Sequence, residues 1–188
     1  AGPAGVAAAI SAARTGARTR LFDVHGCLGG IWTAGLLSNI IDCLDKGGIM
    51  DEILAGLKKM DAQIDGPRYD TEAMKLLLDR MTAEAGVKIL LHTRVVAADK
   101  DGNRVTTIVT ENKSGRQAWR AKTFVDSTGD GDLAAFAGCK FDLGHPQSGK
   151  MQPMTLMAIL TGIDYRELHA HRLMRGDGKS SYAKGVSP

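Results

Sequence analysis

The sequence predicts an α/β fold in which helices pack on a parallel sheet, and three observations lead to this prediction. A glycine turn at Gly2 and Gly5 opens an alanine-rich helix, which Gly16 ends. A short strand follows and finishes in an acid, Asp23. Two amphipathic helices, a run of strands and a second strand-to-glycine-to-helix junction follow along the 188 residues. Strands joined to helices through glycine turns are typical of a parallel sheet covered by helices.

The opening turn carries part of the dinucleotide-binding fingerprint G-x-G-x-x-G. Gly2 and Gly5 stand at its second and third glycines, while its first glycine and the preceding strand are absent. A missing Cβ lets the backbone at Gly2 approach a pyrophosphate and lets the helix at Gly5 lie against a strand. The helix from Pro3 points free N–H groups at the phosphates. The simpler alternative is a core helix with glycine caps.

The acid at the end of the second predicted element fits the same interpretation. Asp23 follows Gly5 by 18 positions, and the acid that binds the adenosine ribose usually lies about 20 residues beyond the glycines. A carboxylate here favours a free ribose hydroxyl over a 2′-phosphate, so NADP is not expected. The later pair Gly29 and Gly30 offers a second close approach of backbone to ligand.

Composition narrows the class of protein. Hydrophobic residues make up 44% and charged residues 24%, which is ordinary for a globular domain. The net charge of +3 comes from scattered basic residues, so no nucleic-acid footprint is expected. The three cysteines form no C-x-x-C pair, which favours a reducing, cytoplasmic compartment and argues against structural zinc. No apolar run approaches the ~20 residues that cross a bilayer, so no membrane partner is expected.

Two amphipathic helices are predicted after the glycine pair. Apolar residues recur at helical spacing over residues 48–62, and again after Asp70, which is a good N-cap. Gly86 ends the second helix. These helices form an insertion over residues 48–86, and their methionines and leucines predict packing rather than chemistry.

Strands dominate the next part of the chain. A strand over residues 87–91 precedes a three-stranded antiparallel meander over residues 94–120, with short hairpin turns. An apolar strand is predicted over residues 121–126, before a glycine-rich turn and a short helix at residues 133–137. This second strand-to-helix junction is another candidate anion site. A calcium loop is rejected because Ala137 occupies the position that needs a bidentate acid.

The pattern changes near the end of the chain. A loop over residues 144–150 precedes a predicted apolar strand over residues 151–162, and Asp164 is predicted to cap a final helix that runs to about Met174. The domain boundary is therefore predicted near residues 143–150.

Several of these segments together resemble a known family. They are the turn from Gly2 to Gly5, Asp23, the glycine loop at residues 26–30, the meander entry at 92–96, and residues 126–132 and 151–157. Over roughly residues 1–164 the sequence resembles bacterial FAD-dependent oxidoreductases, within the wider group that has the glutathione-reductase-type FAD domain.

The resemblance implies a Rossmann-like FAD-binding domain over residues 1–143 and the start of a second, substrate-side β/α domain over residues 144–188. It implies FAD as the cofactor, with the opening turn on the pyrophosphate, Asp23 on the ribose, and the Val95 backbone near the adenine. Many members have Glu where this chain has the shorter Asp23. The cofactor-binding residues that it implies are Gly2, Pro3, Ala4, Gly5, Asp23, Val24, Gly29, Gly30, Thr33, Val95, Thr128 and Gly129.

Catalytic residues are not identified by the sequence. His145 and His92 are candidate acid–base groups, although a lone loop histidine is usually a surface residue. Covalent flavin attachment at His25 or Cys27 is a further hypothesis. The absent first strand leads us to interpret the chain as an internal fragment that holds FAD poorly when expressed alone.

The predicted function is an FAD-dependent oxidoreductase that acts on an unidentified small molecule. Flavin carries the hydride or electron chemistry, and the protein positions the reactants. One alternative is an FAD-carrying electron-transfer subunit of a larger redox complex. Another is a non-catalytic adenine-dinucleotide-binding or RNA-modifying module. Two further possibilities are that the protein has a redox partner and that it forms a homo-oligomer.

Overall fold

The computed structural model describes residues 1–159, 161–164 and 166. The chain divides into two units after Met157, and the helices and strands named below all lie in the first, Ala1–Met157. No described helix is long and apolar enough to span a membrane. The domain boundary near residues 143–150 stays a prediction.

A helix and two parallel strands form the part of the fold that the opening turn predicts. Helix α1 spans Pro3–Arg14 and buries Val6, Ala9 and Ile10. Strand β1, Arg20–Phe22, pairs in parallel with the later strand β4, Lys88–Leu90. The small side chains of α1 let it lie close to this pair.

The predicted helical insertion is present between β1 and β4. Helix α2 spans Ile49–Lys59 and helix α3 spans Thr71–Glu84. Between them a small hairpin of β2, Gln63–Asp65, and β3, Arg68–Tyr69, forms where the sequence predicts only a chain break. The main core gathers apolar side chains from α1, α2, α3 and the loops around them: Val6, Ile10, Leu28, Ile40, Leu57, Tyr69, Met74 and Leu78 are its most deeply buried members.

The predicted meander is confirmed. Strands β5, Arg94–Asp101, β6, Arg104–Asn112, and β7, Gly115–Arg120, form an antiparallel sheet in that order. Two-residue turns join them, as the sequence predicts: Gly102 lies in the first turn, and Gly115 begins β7 directly after the second. Two register shifts in the pairing of β5 with β6 indicate bulges in this ladder.

One aromatic contact joins the meander to the parallel pair. The ring of Trp119 on β7 lies 5.5 Å from that of Phe22 on β1, measured between centroids. The guanidinium carbon of Arg20 lies 4.2 Å from the centre of the Trp119 ring, which is a cation–π contact. The indole N–H donates to Thr110 Oγ1 on β6 at 2.8 Å.

Two predicted strands are wrong. Residues 121–126 form no strand, and Val125 in this segment is 65% exposed. Residues 151–159 likewise form no strand, and Met154 and Leu156 are 99% and 97% exposed. An apolar, β-branched composition favours a strand only when a neighbouring strand pairs with it, and no described strand pairs with either segment.

The structure describes only some of the elements predicted near the end of the chain. Helix α4 spans Asp132–Phe136, one residue earlier than predicted. Asp164 accepts a hydrogen bond from the Arg166 backbone N–H at 2.8 Å. The predicted helix to Met174 otherwise lies outside the described residues.

Candidate functional site

The first turn of α1 presents backbone donors without a side-chain cap. Gly2 is the N-cap residue and makes no side-chain hydrogen bond. Its carbonyl accepts from the Val6 N–H at 3.0 Å, which is the first bond of the helix. Pro3 has no N–H, so the N–H groups of Ala4 and Gly5 are the donors that the first turn leaves without a helical acceptor. The helix dipole adds positive potential at this end, so the turn suits an anion.

Three segments distant in sequence meet at this turn. A Cβ added at Gly5 would lie 2.5 Å from Ser127 Oγ, and one added at Gly30 would lie 2.9 Å from the Gly2 Cα. The protein's own packing therefore leaves no free space for a Cβ at positions 5 and 30. A Cβ added at Gly2 would meet no atom within 4 Å.

Gly2 therefore differs from the other two glycines. Its φ of −65° is open to every residue, and the space beside it is empty of protein atoms. Nothing within the described protein explains the missing side chain at Gly2. A ligand that approaches the backbone here would explain it, so the cradle fits a diphosphate.

The loop after β1 closes over the start of α1. The Gly29 N–H donates to the Ala1 carbonyl at 2.9 Å. Gly29 has φ +104°, a conformation that favours glycine, and a Cβ there would lie 2.7 Å from Thr33 Cγ2. Thr33 is fully buried, and its hydroxyl donates to the Leu28 carbonyl. The buried Thr33 side chain thus stabilises the conformation of the loop. Its predicted contact with a cofactor stays a prediction.

A buried tyrosine anchors the far side of this loop. The Tyr69 hydroxyl shares its proton between the carbonyls of Trp32, at 2.8 Å, and Leu37, at 2.7 Å. Burial raises the pKa of Tyr69 well above its ordinary value. The hydroxyl therefore stays protonated and keeps donating to the loop.

Asp23 lies at the carboxyl end of β1, as predicted, but its carboxylate is buried. Its side chain is 4% exposed, and Oδ2 lies 2.8 Å from the nitrogen of Ala1. Oδ1 accepts from the His25 backbone N–H at 2.6 Å. The carboxylate thus fixes the backbone that follows β1. Its predicted contact with a ribose stays a prediction.

Two other predicted residues lie near this strand end. Val24 is 41% exposed, next to Asp23. Val95 is half-buried on β5, where it pairs with Thr110. The Thr93 N–H donates to the Asp23 carbonyl at 2.8 Å, which brings the entry of β5 to the end of β1.

The turn at Thr128 and Gly129 is shaped by a carboxylate. Asp126 Oδ1 accepts from the Thr128 N–H at 3.0 Å and from its hydroxyl at 2.8 Å, and Oδ2 accepts from the Ala134 N–H at 2.8 Å. Burial acts to raise the pKa of Asp126, but these hydrogen bonds outweigh it and lower the pKa. Since Ser127 packs on Gly5, this turn lies beside the start of α1.

Three of the candidate chemical groups, His25, Cys27 and His92, lie around Gly26, and the His92 N–H donates to the His25 carbonyl at 3.0 Å. The ring of His92 lies against Gly26, where a Cβ would come within 2.8 Å of it, and the His92 φ is +49°. His145 Nδ1 lies 3.2 Å from Ser148 Oγ in an exposed loop. Cys27 is half-buried, with its sulfur 3.7 Å from Thr33 Oγ1. Their catalytic or covalent roles stay predictions. Among the described residues, His, Cys, Asp and Glu form no group of three that could hold a metal ion.

Sequence reasoning missed two functions of side chains here. It assigned Asp23 to the ligand and did not foresee its link to His25, although an acid two residues before a polar residue often accepts from that residue's N–H. It used Asp126 as the end of a predicted strand, as part of a rejected calcium pattern and within the resemblance segment at residues 126–132, but not as an anchor of the turn. The spacing of Asp126 from Thr128 is that of an Asx turn, and this signal could have identified the anchor.

Comparison with known proteins identifies the family and the type of fold. The family model described as "FAD dependent oxidoreductase" matches residues 1–185. No curated protein sequence matches the chain.

Solved structures agree in fold. THI4 from Thermovibrio ammonificans is similar over 76% of this chain and 62% of its own length, with 20% identity and a TM-score of 0.56. A geranylgeranyl bacteriochlorophyll reductase-like protein from Thermoplasma acidophilum matches over 74% and 40%, with 19% identity and a TM-score of 0.55. A flavoprotein/dehydrogenase from Cytophaga hutchinsonii matches over 73% and 40%, with 15% identity and a TM-score of 0.53. The chain spans less than two thirds of each, and the likeness confirms the α/β fold class with its parallel and antiparallel sheets.

Proposed function

This chain belongs to the family of FAD-dependent oxidoreductases, and we propose that it forms the dinucleotide-binding part of a flavoenzyme that acts on a small molecule. FAD is the cofactor of the family. The observation that carries the proposal is the open space beside Gly2, next to uncapped helix donors. It supports a backbone cradle for the FAD pyrophosphate.

Each segment of the site has a part in this proposal. The turn from Gly2 to Gly5 holds the pyrophosphate, and the turn at Thr128 and Gly129 approaches it from the other side. The loop at Gly29 and Gly30 borders the cofactor, and the end of β1 receives the adenosine. Bound FAD supplies hydride or electron transfer. The chain's own residues bind and orient it, and the buried Tyr69 and Thr33 keep the loop in place.

Transfer between FAD and a small organic molecule is our proposal for the whole protein. The cytoplasm is the compartment we propose, since Cys27, Cys43 and Cys139 are free.

The test compares flavins that differ in the adenylate half. The protein from the complete reading frame is purified, its flavin is released and identified, and the apoprotein is titrated with FAD and FMN. FAD should be recovered and should bind at least about tenfold more tightly than FMN, since FMN lacks the diphosphate bridge and adenosine. Equal affinity for the two flavins, or no flavin binding, would overturn the proposal.

A further inference from the structure

Basic residues that are scattered in the sequence gather around the start of β1. Arg20 is the first residue of β1 and pairs in register with Lys88, the first residue of β4. Arg120 ends β7 and follows Trp119, whose ring centre lies 4.2 Å from the Arg20 guanidinium carbon. We call this surface the basic face, and its exposed cations are Arg18, Arg20, Lys88, Arg120 and Lys122.

The basic face has no carboxylate of its own. The segments that carry it, residues 18–22, 88–90 and 115–122, contain no aspartate or glutamate. Within the described part of the chain, its side chains form no ion pair and no hydrogen bond. Glu111 on β6 pairs instead with Arg116, at 3.4 Å. Asp99 on β5 lies two strands away from Arg120, beyond Thr107.

The arrangement of Arg20 and Lys88 favours a bound anion. Residues in register on adjacent strands lie on the same side of the sheet, so these two positive charges are neighbours, and like charges on paired strands are destabilising. An anion between them would replace this repulsion with attraction. The contact with Trp119 also holds the Arg20 guanidinium in place before a partner binds, which lowers the entropy cost of binding.

The basic face lies away from the proposed cofactor site. Arg20 and Lys88 begin their strands, whereas ligands of open α/β sheets bind beyond the carboxyl ends of the strands. A partner on the basic face would therefore not compete with the cofactor for the turn from Gly2 to Gly5.

The surface distinguishes among classes of anionic partner. Bases of nucleic acids stack on free aromatic rings, but Trp119 is half-buried and Arg20 lies over its ring. Membrane binding uses exposed apolar side chains that enter the lipid, and the described segments of the basic face expose no large apolar side chain. An acidic protein surface needs neither feature. Its carboxylates match the planar guanidinium groups of Arg18, Arg20 and Arg120.

We propose that the basic face binds an acidic surface of a partner protein. The inference goes beyond the proposed function, because it assigns a contact with a macromolecule to a place separate from the cofactor site. Electrostatic complementarity of this kind gives specificity and a faster encounter.

The test compares two double variants that remove the same charge. Lys88→Gln combined with Arg120→Gln removes two cations of the basic face and leaves Arg20 in place. Lys58→Gln combined with Lys59→Gln removes two exposed cations from α2 and serves as the control. A fluorescently labelled oligo-glutamate peptide is titrated into the protein from the complete reading frame and into each variant, and fluorescence anisotropy reports binding.

The basic-face variant should bind the peptide at least about fivefold more weakly than wild type, since two exposed charge pairs account for about this much. The α2 control should stay within about twofold of wild type, and added salt should weaken wild-type binding. Equal losses in the two double variants, or no binding of the peptide by wild type, would overturn the proposal.

Other probes test the class of partner. A DNA oligonucleotide and vesicles of phosphatidylcholine with phosphatidylglycerol are titrated in the same way. If the basic-face variant loses at least as much affinity for either of these as for the peptide, the surface suits nucleic acid or lipid and the assignment to an acidic protein is wrong.

Two controls separate charge from folding and from the cofactor site. Lys88→Arg combined with Arg120→Lys keeps both charges and should bind the peptide like wild type, and a loss of binding in this variant would contradict the role of charge. FAD affinity should be the same in wild type and in every variant. Loss of the peptide with FAD binding intact, or of FAD with peptide binding intact, therefore identifies which of the two proposals fails.

Discussion

At the scale of single residues, different physical requirements explain why glycine occupies each of the three positions in the site. Gly5 and Gly30 make room for other parts of the protein, Ser127 and Gly2. Gly2 makes room for nothing in the described protein. The same substitution should therefore weaken cofactor binding at position 2 and destabilise the fold at position 5.

Gly2→Ser should separate cofactor binding from folding. Serine is at least as good an N-cap as glycine, so the free energy of unfolding should change by less than about 0.5 kcal/mol. Its hydroxyl would engage the donors of the first turn and its Cβ would fill the open space. FAD affinity should fall at least about tenfold, measured by flavin fluorescence titration.

Gly5→Ser is the matched control. Its Cβ would overlap Ser127 Oγ, 2.5 Å away, and should destabilise the fold by about 1–3 kcal/mol, measured by urea unfolding. If Gly2→Ser binds FAD as tightly as wild type, the cradle at Gly2 is not where the diphosphate lies.

At the scale of elements, caps and turns position the helices around the site. Asp70 caps α3 by accepting from the Ala73 N–H at 2.8 Å. Asp126 shapes the turn before α4 through three hydrogen bonds. Both carboxylates satisfy N–H groups that would otherwise lack an acceptor in the protein.

Asp70→Ala should destabilise the protein by about 1 kcal/mol, the usual loss for an N-cap. Asp70→Ser keeps an acceptor and should lose only a few tenths of that amount. Urea unfolding of both variants tests this. Equal losses in the two variants would show that the cap contributes nothing.

Asp126→Asn should remove a pH-dependent part of the stability. The pKa of Asp126 is lowered in the folded state, so the folded protein binds this proton less readily than the unfolded chain. The stabilisation is therefore present above the ordinary pKa of 3.8 and is lost as pH falls through the lower folded value. The stability gap between wild type and Asp126→Asn should be largest near neutral pH and shrink in acid.

Urea unfolding at neutral and acid pH measures this gap. Asp130→Asn removes one charge from the same turn and serves as the control for net charge. A gap that stays constant with pH would contradict the assigned role of the Asp126 carboxylate.

At the scale of the unit Ala1–Met157, Trp119 joins two sheets. It contacts Phe22 and Arg20 on β1 and donates to Thr110 on β6. The meander and the parallel pair share no strand pairing. The Trp119 contacts join them in addition to the backbone hydrogen bond from the Thr93 N–H to the Asp23 carbonyl.

Trp119→Ala should destabilise the unit by about 2 kcal/mol, since it removes an aromatic pair and a cation–π contact. Trp119→Phe keeps a ring over both partners and should lose about half as much, mostly the indole hydrogen bond. Circular dichroism during urea unfolding follows both variants. Similar losses in the two would show that the ring contacts do not join the sheets.

The sequence alone determined the local elements of this protein and its chemical family. Helical spacing predicted α2 and α3, glycine turns predicted the meander, and the order of turn, helix and acid predicted a dinucleotide site. These signals are short-range, because propensity, capping and turn chemistry act over a few residues.

Tertiary structure alone decided which residues meet and which side chains are exposed. It brought Ser127 onto Gly5, buried Asp23 and left His25 facing solvent. It also left residues 121–126 and 151–159 without strand pairing. The physical reason is that burial and strand pairing depend on partners that are distant in the chain. The residues next to a position in the sequence therefore do not determine its burial or its pairing.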